Sequence, residues 1–205
     1  QNTIDKSTLP DVVKGSKHDL STYWGRVRHF AEVTDMRTLL TTDAALRDAK
    51  EKLESYEKFR TNKMSPEEEA SYVLPPTERL WDAKKIKDAV LHPDLGDKIP
   101  VPFRMSAFVP MNIAIVSGML QARSIPATIF WQTVNQTYNV CVNHSNRNAS
   151  NTMSNEQLAI NYLAAVSSSV GTALGLNQFV QRTTLIKTEA MKQNMLKVVP
   201  FIAVS

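Results

Sequence analysis

Carboxamide side chains recur through one uncharged stretch near the middle of the chain, and they could bind a small polar ligand. Gln132, Gln136, Asn139 and Asn143 are spaced by four, three and four residues, so they share one face of a helix, with Asn135 beside it. A neutral amide both donates and accepts hydrogen bonds, so it can bind the ammonium, carboxylate or hydroxyl of a zwitterion without holding it by charge. The predicted substrate-pathway residues are Gln132, Asn135, Gln136 and Asn139.

The same amides also have a structural interpretation. A carboxamide that loses water in hydrocarbon costs several kcal/mol unless it is paired, so it must face other helices or a wet cavity. Asn and Gln form hydrogen bonds between membrane helices that contribute about 1 kcal/mol each. The sequence alone allows both a substrate pathway and interhelical bonding.

The distribution of charge predicts the elements that hold these amides. Residues 105–181 contain only three charged side chains, Arg123, Arg147 and Glu156, whereas residues 1–104 hold most of the others. The uncharged stretches between them are close to the length of about 20 apolar residues that a membrane-spanning helix needs. Charges at the ends of such stretches are typical of membrane helices. We therefore predict an all-α, polytopic α-helical membrane protein with a short amphipathic helical head.

Two regions follow from this pattern. Residues 1–104 are predicted to form a polar N-terminal head, and residues 105–205 are predicted to form the transmembrane helical region. The predicted spans are about 105–122, 126–143 and 157–177, with the start of a fourth from 198. The chain stops within that fourth apolar run, so we interpret it as a fragment.

The head is predicted to contain two or three short amphipathic helices. One covers residues 43–59, whose apolar side chains recur at helical spacing after a cap at Thr42 or Asp43. Another begins at a Thr77 cap and stops before Pro93. Residues 1–20 are predicted to be an irregular polar arm and residues 61–76 a loop. The apolar faces are too thin for an independent core, so we expect the head to pack on the membrane region.

Two features of the predicted spans concern backbone geometry. Gly171 and Gly175 form a Gly-x-x-x-Gly pattern in an apolar stretch, which predicts close packing against another helix. Pro110 and Asn112 could break the first span and expose backbone carbonyls, as in transporters, or could only kink it.

Enzyme, metal and nucleic-acid functions find no support in the sequence. One short motif could suggest acid–base or metal chemistry: His92, Pro93, Asp94 and Gly96. The histidines of the chain, however, lack the spacing of metal ligands. The favoured interpretation is a helix stop in which Asp94 closes the turn. The net charge is +4, yet basic and acidic residues are interleaved, so no basic stripe indicates nucleic acid. The single cysteine, Cys141, excludes an internal disulfide framework. We expect no enzyme activity, no cofactor and no metal.

Many short motifs, in order from about residue 19 onward, resemble the sideroflexins, and the resemblance is best to the fungal branch. The motifs are Tyr23-Trp-Gly-Arg26, His29-Phe30, Trp81-Asp-Ala-Lys84, His92-Pro-Asp-Leu-Gly96, Arg104-Met-Ser106, Pro110-Met-Asn112, Phe130-Trp-Gln132, Asn135-Gln136 with Asn139, and Ala173-Leu-Gly-Leu-Asn177. The fungal features are Ser21-Thr-Tyr-Trp24 and Val101-Pro-Phe-Arg104.

The resemblance implies a multi-pass protein of the inner mitochondrial membrane, with about five spans. It implies transport of serine, and of other small neutral amino acids, into the matrix, where serine supplies one-carbon metabolism. The implied partners are this substrate, the lipid bilayer, and either further copies of the chain or respiratory-chain assembly factors. Leu95 stands where the family has threonine, residues 61–76 look longer than the usual connection, and the last third of the family pattern is absent.

Two alternatives to serine transport remain open from the sequence. The first is a membrane scaffold without transport activity that supports assembly of respiratory complexes or iron cofactors. The second is a citrate or tricarboxylate carrier. Citrate should require several cations that face the cavity, and the interiors of the predicted spans contain none.

Overall fold

The computed structural model describes residues 5–147, 153–183 and 188–203. Within these ranges the regular structure is helical, and the prediction of an all-α fold is confirmed. An isolated antiparallel bridge joins Leu91 to Lys98. The helices are α1 (Tyr23–Val33), α2 (Asp43–Arg60), α3 (Pro66–Ser71), α4 (Thr77–Val90), α5 (Phe108–Gln121), α6 (Ile125–Ser145), α7 (Asn155–Arg182) and α8 (Glu189–Ile202).

The chain divides into two compact units. The N-terminal unit is Gln1–Ala107 and the C-terminal unit is Phe108–Ser205. The boundary falls close to the start of the uncharged region at residue 105.

The N-terminal unit has a core of its own, and the expectation that it lacks one is wrong. Val12 is 0 % exposed and packs with side chains of α2 and α4, so the predicted irregular arm supplies a buried layer. The hydroxyl of Tyr56 also donates a hydrogen bond of 2.7 Å to the carbonyl of Pro10. The core residues are Val12, Ala49, Leu53, Tyr56, Leu80 and Ala83.

The ends of the helices in this unit differ in part from those predicted. Thr42 caps α2 as predicted, because its hydroxyl accepts a hydrogen bond of 3.2 Å from the backbone of Ala45. Thr77 is not a cap, since α4 has Pro76 at the cap position and no side-chain cap bond. The predicted loop 61–76 contains α3, which begins with a reciprocal capping box between Ser65 and Glu68.

Asp35 links the segment after α1 to α4. Its carboxylate accepts hydrogen bonds from Arg37 at 2.6 Å and also from Lys85 of α4. Arg37 and Lys85 together hold the pKa of the Asp35 carboxyl well below its usual range. A carboxylate with a lowered pKa stabilises the folded state at neutral pH, and this stability is lost as the pH falls through the folded-state pKa.

In the C-terminal unit, helices occupy all three regions where spans are predicted. The first begins later than predicted, since Met105–Ala107 is a 3₁₀ turn and α5 starts at Phe108. Within the described ranges, α7 alone is both long enough and apolar enough to cross a membrane. α5 is apolar but has 14 residues, and α6 is long but carries the amides. Three spans therefore remain a prediction.

The last helix begins earlier than predicted. The start of a fourth span is predicted at 198, whereas α8 begins at Glu189. Its apolar side chains, from Met191 to Ile202, line a groove of about 380 Å³ together with residues of α7 such as Phe179. In the sequence, polar residues separate the apolar residues of α8 from one another. The helical spacing places these apolar residues on one side of α8.

Candidate functional site

The buried face of α6 is polar. Gln132 is 1 % exposed and Asn135 is 3 % exposed, and they share this face with Tyr138 and Val142. From Gln132 onward, the buried residues are spaced by three, three and four, whereas the predicted amide face is spaced by four, three and four. The buried face of α6 is therefore rotated about the helix axis from the predicted one. Asn135, predicted to lie beside the polar face, is therefore at its centre.

The remaining predicted pathway amides lie away from this centre. Gln136 and Asn139 are half-buried at the edge of the face, and Asn143 is exposed. A helix that packs against a neighbour buries only the side chains along its line of contact. Residues spaced by four and three share one side of the helix, but some of them can lie at the edge of that contact and remain half-buried. The structure brings two of the four predicted pathway residues, Gln132 and Asn135, into the protein interior.

Gln132 bonds α6 to α7. The hydroxyl of Ser169, itself 2 % exposed, donates a hydrogen bond of 2.6 Å to the side-chain oxygen of Gln132. A second hydroxyl pair, Thr137 and Tyr162, joins the same two helices at 2.8 Å. These contacts match the structural interpretation of the amides, since hydrogen bonds between membrane helices stabilise their packing.

Asn135 differs from Gln132 in its bonding. Its amide nitrogen is buried and has no hydrogen-bond partner among the described residues. A buried donor without a partner costs about 1–3 kcal/mol, so such groups in native proteins need an explanation. An amide held without a partner between two helices can donate to an oxygen of a bound ligand.

A glycine that the sequence did not single out for packing positions α5 against α6. Gly118 is buried, and a Cβ atom added there would lie 2.2 Å from ring atoms of Trp131 on α6. Only a residue without a side chain allows the indole ring this close to the backbone of α5. The signal in the sequence that could have predicted this contact is a glycine late in one apolar stretch and a tryptophan early in the next.

The predicted packing glycines behave differently. Gly171 and Gly175 are exposed, and a Cβ atom added at either would meet nothing within 4 Å. Among the described residues the predicted contact is not made, because α7 packs through another face that carries Ser169, Ala173 and Val180.

Pro110 and Asn112 lie near the start of α5 and do not interrupt it. α5 starts at Phe108, so Pro110 lies in its first turn, where a missing N–H group leaves no hydrogen bond unmade. The side-chain amide of Asn112 donates a hydrogen bond of 2.7 Å to the carbonyl of Phe108. The break is therefore not present in α5, and the kink stays a prediction.

A family model of the sideroflexins matches residues 12–205. The chain belongs to the sideroflexins. It is 43 % identical over 190 residues to a sideroflexin of Saccharomyces cerevisiae and 40 % identical over 191 residues to one of Dictyostelium discoideum. It is also 40 % identical over 186 residues to Sideroflexin-5 of Homo sapiens. These alignments cover 92 %, 93 % and 90 % of the chain.

The chain spans about half the length of the curated relatives it matches. The share covered is 54 % of the yeast sideroflexin, 55 % of the Dictyostelium protein and 52 % of human Sideroflexin-5. No solved structure matches the chain. The fungal and human relatives are similar to it at nearly equal identity.

The His-Pro-Asp-Leu-Gly motif of this sideroflexin forms a closed turn after α4. The imidazole Nδ1 of buried His92 accepts hydrogen bonds of 3.2 Å from the backbone N–H groups of Asp94 and Leu95. Gly96 takes a positive φ of 73°, which glycine adopts readily. The predicted helix stop is present, and the His92 imidazole bonds the backbone of the turn. In the described part of the chain, no group of three or more potential ligands could hold a metal ion.

Replacing His92 with alanine is expected to lower the free energy of unfolding of the sideroflexin by about 1–2 kcal/mol, because two backbone donors lose their acceptor. His92→Asn should retain most of this stability, since an asparagine side chain accepts from the backbone two residues on. Thermal unfolding of the purified variants measures both effects. Leu95→Thr, at an exposed position, is the matched control and should leave the melting temperature unchanged. Equal melting temperatures for His92→Ala and the parent would contradict the role assigned to the imidazole.

Proposed function

We propose that this chain is part of a carrier that moves serine, and other small neutral amino acids, across the inner mitochondrial membrane to supply one-carbon metabolism. Membership of the sideroflexins supports this proposal, as do the apolar helices of the C-terminal unit. The single observation that carries it is the buried amide nitrogen of Asn135, which has no hydrogen-bond partner among the described residues.

The lack of charge around Asn135 favours a neutral substrate. α5 and α6 contain no charged residue, and α7 has only Glu156 in its first turn and Arg182 in its last. The charged residues of α8 are Glu189, Lys192 and Lys197. Citrate carries several negative charges and would need cations inside this helical unit to offset its desolvation. A zwitterion with zero net charge can bind to neutral amides and hydroxyls, so these residues favour serine over citrate.

The burial of Asn135 indicates how transport would proceed. A side chain that is 3 % exposed cannot be reached from either side of a membrane without movement of the helices around it. We infer that α6 separates from α7 during the transport cycle, which breaks the hydrogen bond between Ser169 and Gln132. Asn135 would then donate to the carboxylate or the hydroxyl of serine, and closure would remove the bound substrate from water.

Uptake of radiolabelled serine by proteoliposomes that hold the complete protein tests this function. We expect saturable uptake above the level of protein-free vesicles, inhibited by unlabelled serine and unaffected by citrate. Uptake of citrate in place of serine would overturn the substrate assignment. Folded, correctly inserted protein that moves neither compound would contradict transport and support a scaffold that assists the assembly of other membrane complexes.

A further inference from the structure

Helix α1 carries its aromatic side chains on the outside of the N-terminal unit. Tyr23 is 66 % exposed, Trp24 is 68 % exposed and Phe30 is 59 % exposed, and Val27 is also exposed. Positions i, i+1, i+4 and i+7 fall on one face of a helix, which we call the aromatic face of α1 (Tyr23, Trp24, Val27 and Phe30). Exposed apolar patches of this kind mark interaction sites.

The opposite face of α1 packs against the segment that precedes the helix, so the aromatic face points away from that segment. Gly25 is buried, and a Cβ atom added there would lie 1.8 Å from the carbonyl oxygen of Asp19. Glu32, also on the inner side, has a carboxylate oxygen 3.2 Å from Nε2 of His18 and 3.6 Å from the ammonium of Lys17. A helix of a water-soluble domain normally buries its apolar stripe, and α1 has the reverse orientation.

Two arginines border the aromatic face. Arg26 precedes Phe30 by four residues and Arg28 follows Trp24 by four, so each guanidinium neighbours one edge of the face. Arg26 is held in place, since it donates hydrogen bonds of 3.0 Å to the carbonyls of Leu20 and Ser21. The single acidic residue of α1 is Glu32, which lies on the opposite side. The aromatic face is therefore apolar at its centre and positive at its edges.

This combination is complementary to an anionic lipid surface. Tyr and Trp prefer the boundary between acyl chains and headgroups, because their rings are apolar and their O–H and N–H groups are polar. Arginine side chains extend from an apolar surface toward phosphate groups. Leu20, before α1, and Met36 and Leu40, after it, are also exposed apolar residues.

We propose that the aromatic face of α1 lies in the interface of a bilayer that contains anionic lipids, with Tyr23, Trp24 and Phe30 at the acyl-chain boundary. Arg26 and Arg28 bind the lipid phosphates from either side. α1 is then an interfacial helix that lies parallel to the membrane surface. This proposal rests on the membrane insertion of the C-terminal unit stated under the proposed function.

Quenching of tryptophan fluorescence by brominated lipids tests the position of α1. The full chain with Trp81→Phe and Trp131→Phe retains Trp24 as its one tryptophan and is reconstituted into phosphatidylcholine vesicles with 30 mol % phosphatidylglycerol. Because interfacial helices enter the acyl boundary by about 5–10 Å, lipids brominated near the headgroup should lower Trp24 emission about twofold. Adding Tyr23→Trp and Trp24→Phe to the same background gives a second reporter on this face. Circular dichroism and melting verify that each variant is folded.

Two control reporters separate the possible results. Each control adds Trp24→Phe to the same background. Val73→Trp, at an exposed position outside α1, should be quenched by aqueous iodide and not by brominated lipid. Phe130→Trp, at an exposed position on α6, reports insertion of the C-terminal unit. Lipid quenching at position 130 with none at Trp24 would overturn the α1 proposal alone. No lipid quenching at either position would overturn membrane insertion itself. Protection of Trp24 from both quenchers would show that a protein surface covers the face, which also overturns the proposal.

The charge requirement is tested with Arg28→Gln. An arginine near an anionic lipid surface contributes about 1 kcal/mol to the free energy of membrane binding. In vesicles with phosphatidylglycerol, the ratio of α1 at the bilayer interface to α1 away from it should therefore fall about fivefold. In pure phosphatidylcholine the variant and the parent should be equal. Arg79→Gln removes an exposed arginine from α4 and is the matched control. Equal quenching of Trp24 in Arg28→Gln and the parent at every lipid composition would contradict the role of arginine.

Discussion

Replacing Asn135 with leucine is expected to weaken the apparent affinity of the carrier for serine about tenfold, with little change in the amount of folded protein. A hydrogen bond to a charged group contributes about 1.5–3 kcal/mol, and 1.4 kcal/mol corresponds to a factor of ten in affinity. Leucine has a similar volume, and the amide nitrogen that it removes has no partner among the described residues, so folding should lose little. Serine uptake over a range of concentrations, normalised to protein amount, measures the effect.

Gln132→Leu provides the contrasting result. This change removes the acceptor of the 2.6 Å hydrogen bond from Ser169 and leaves a buried hydroxyl unpaired, which costs about 1–3 kcal/mol of stability. We expect less folded protein and, in the molecules that remain, a half-saturation concentration close to that of the parent. Asn143→Leu, at an exposed position of the same helix, is the matched control. An unchanged half-saturation in Asn135→Leu, Gln136→Leu and Asn139→Leu would remove these amides from the substrate pathway.

Gly118→Ala is expected to destabilise the C-terminal unit by about 1–3 kcal/mol, the usual cost of overpacking a filled interior. The new methyl group would lie 2.2 Å from the ring of Trp131, and an indole ring cannot move aside without shifting α6. Alanine has a higher helix propensity than glycine by about 1 kcal/mol, which offsets only part of this cost. The melting temperature of the purified 205-residue chain in detergent should fall measurably.

Two further variants identify the cause of that loss. Gly171→Ala makes the same substitution where an added Cβ meets nothing within 4 Å, so its melting temperature should equal or exceed that of the parent. Combining Gly118→Ala with Trp131→Leu should cost less than the sum of the single changes, because the clash is absent once the ring is gone. Additive losses would show that Gly118 and Trp131 do not interact as the structure indicates.

The positions of the three central helices could be predicted because they depend on local information. Charged residues such as Arg123 and Glu156 mark the ends of long uncharged stretches, and the Ser154–Gln157 capping box marks the start of α7. The burial of individual amides depended on tertiary packing. Gln132 was correctly predicted to lie inward, whereas Asn135 was assigned to the edge of the face because a sequence cannot show which strip of α6 contacts α7.

The packing of glycines could not be predicted from motifs either. A Gly-x-x-x-Gly pattern indicates a surface that permits close approach, but it does not show which helix approaches it. A Cβ atom added at Gly171 or Gly175 would meet no described atom within 4 Å, while Gly118, which belongs to no motif, lies against the ring of Trp131. The core position of Val12 was missed for a related reason, since one apolar residue in a polar segment has no periodicity from which burial can be inferred.

The buried position of Val12 determines when the N-terminal unit can fold during synthesis. Val12 packs with Leu80 and Ala83, and the carbonyl of Pro10 accepts a hydrogen bond from the hydroxyl of Tyr56. Residues 10–12 leave the ribosome before α2 and α4, so their contacts can form only after α4 has emerged. Contacts between residues this distant in sequence form slowly, because a long loop must close before they contribute. The nascent chain therefore exposes the apolar sides of α2 and α4 until α4 has emerged, and this interval is when it is most exposed to chaperones and proteases.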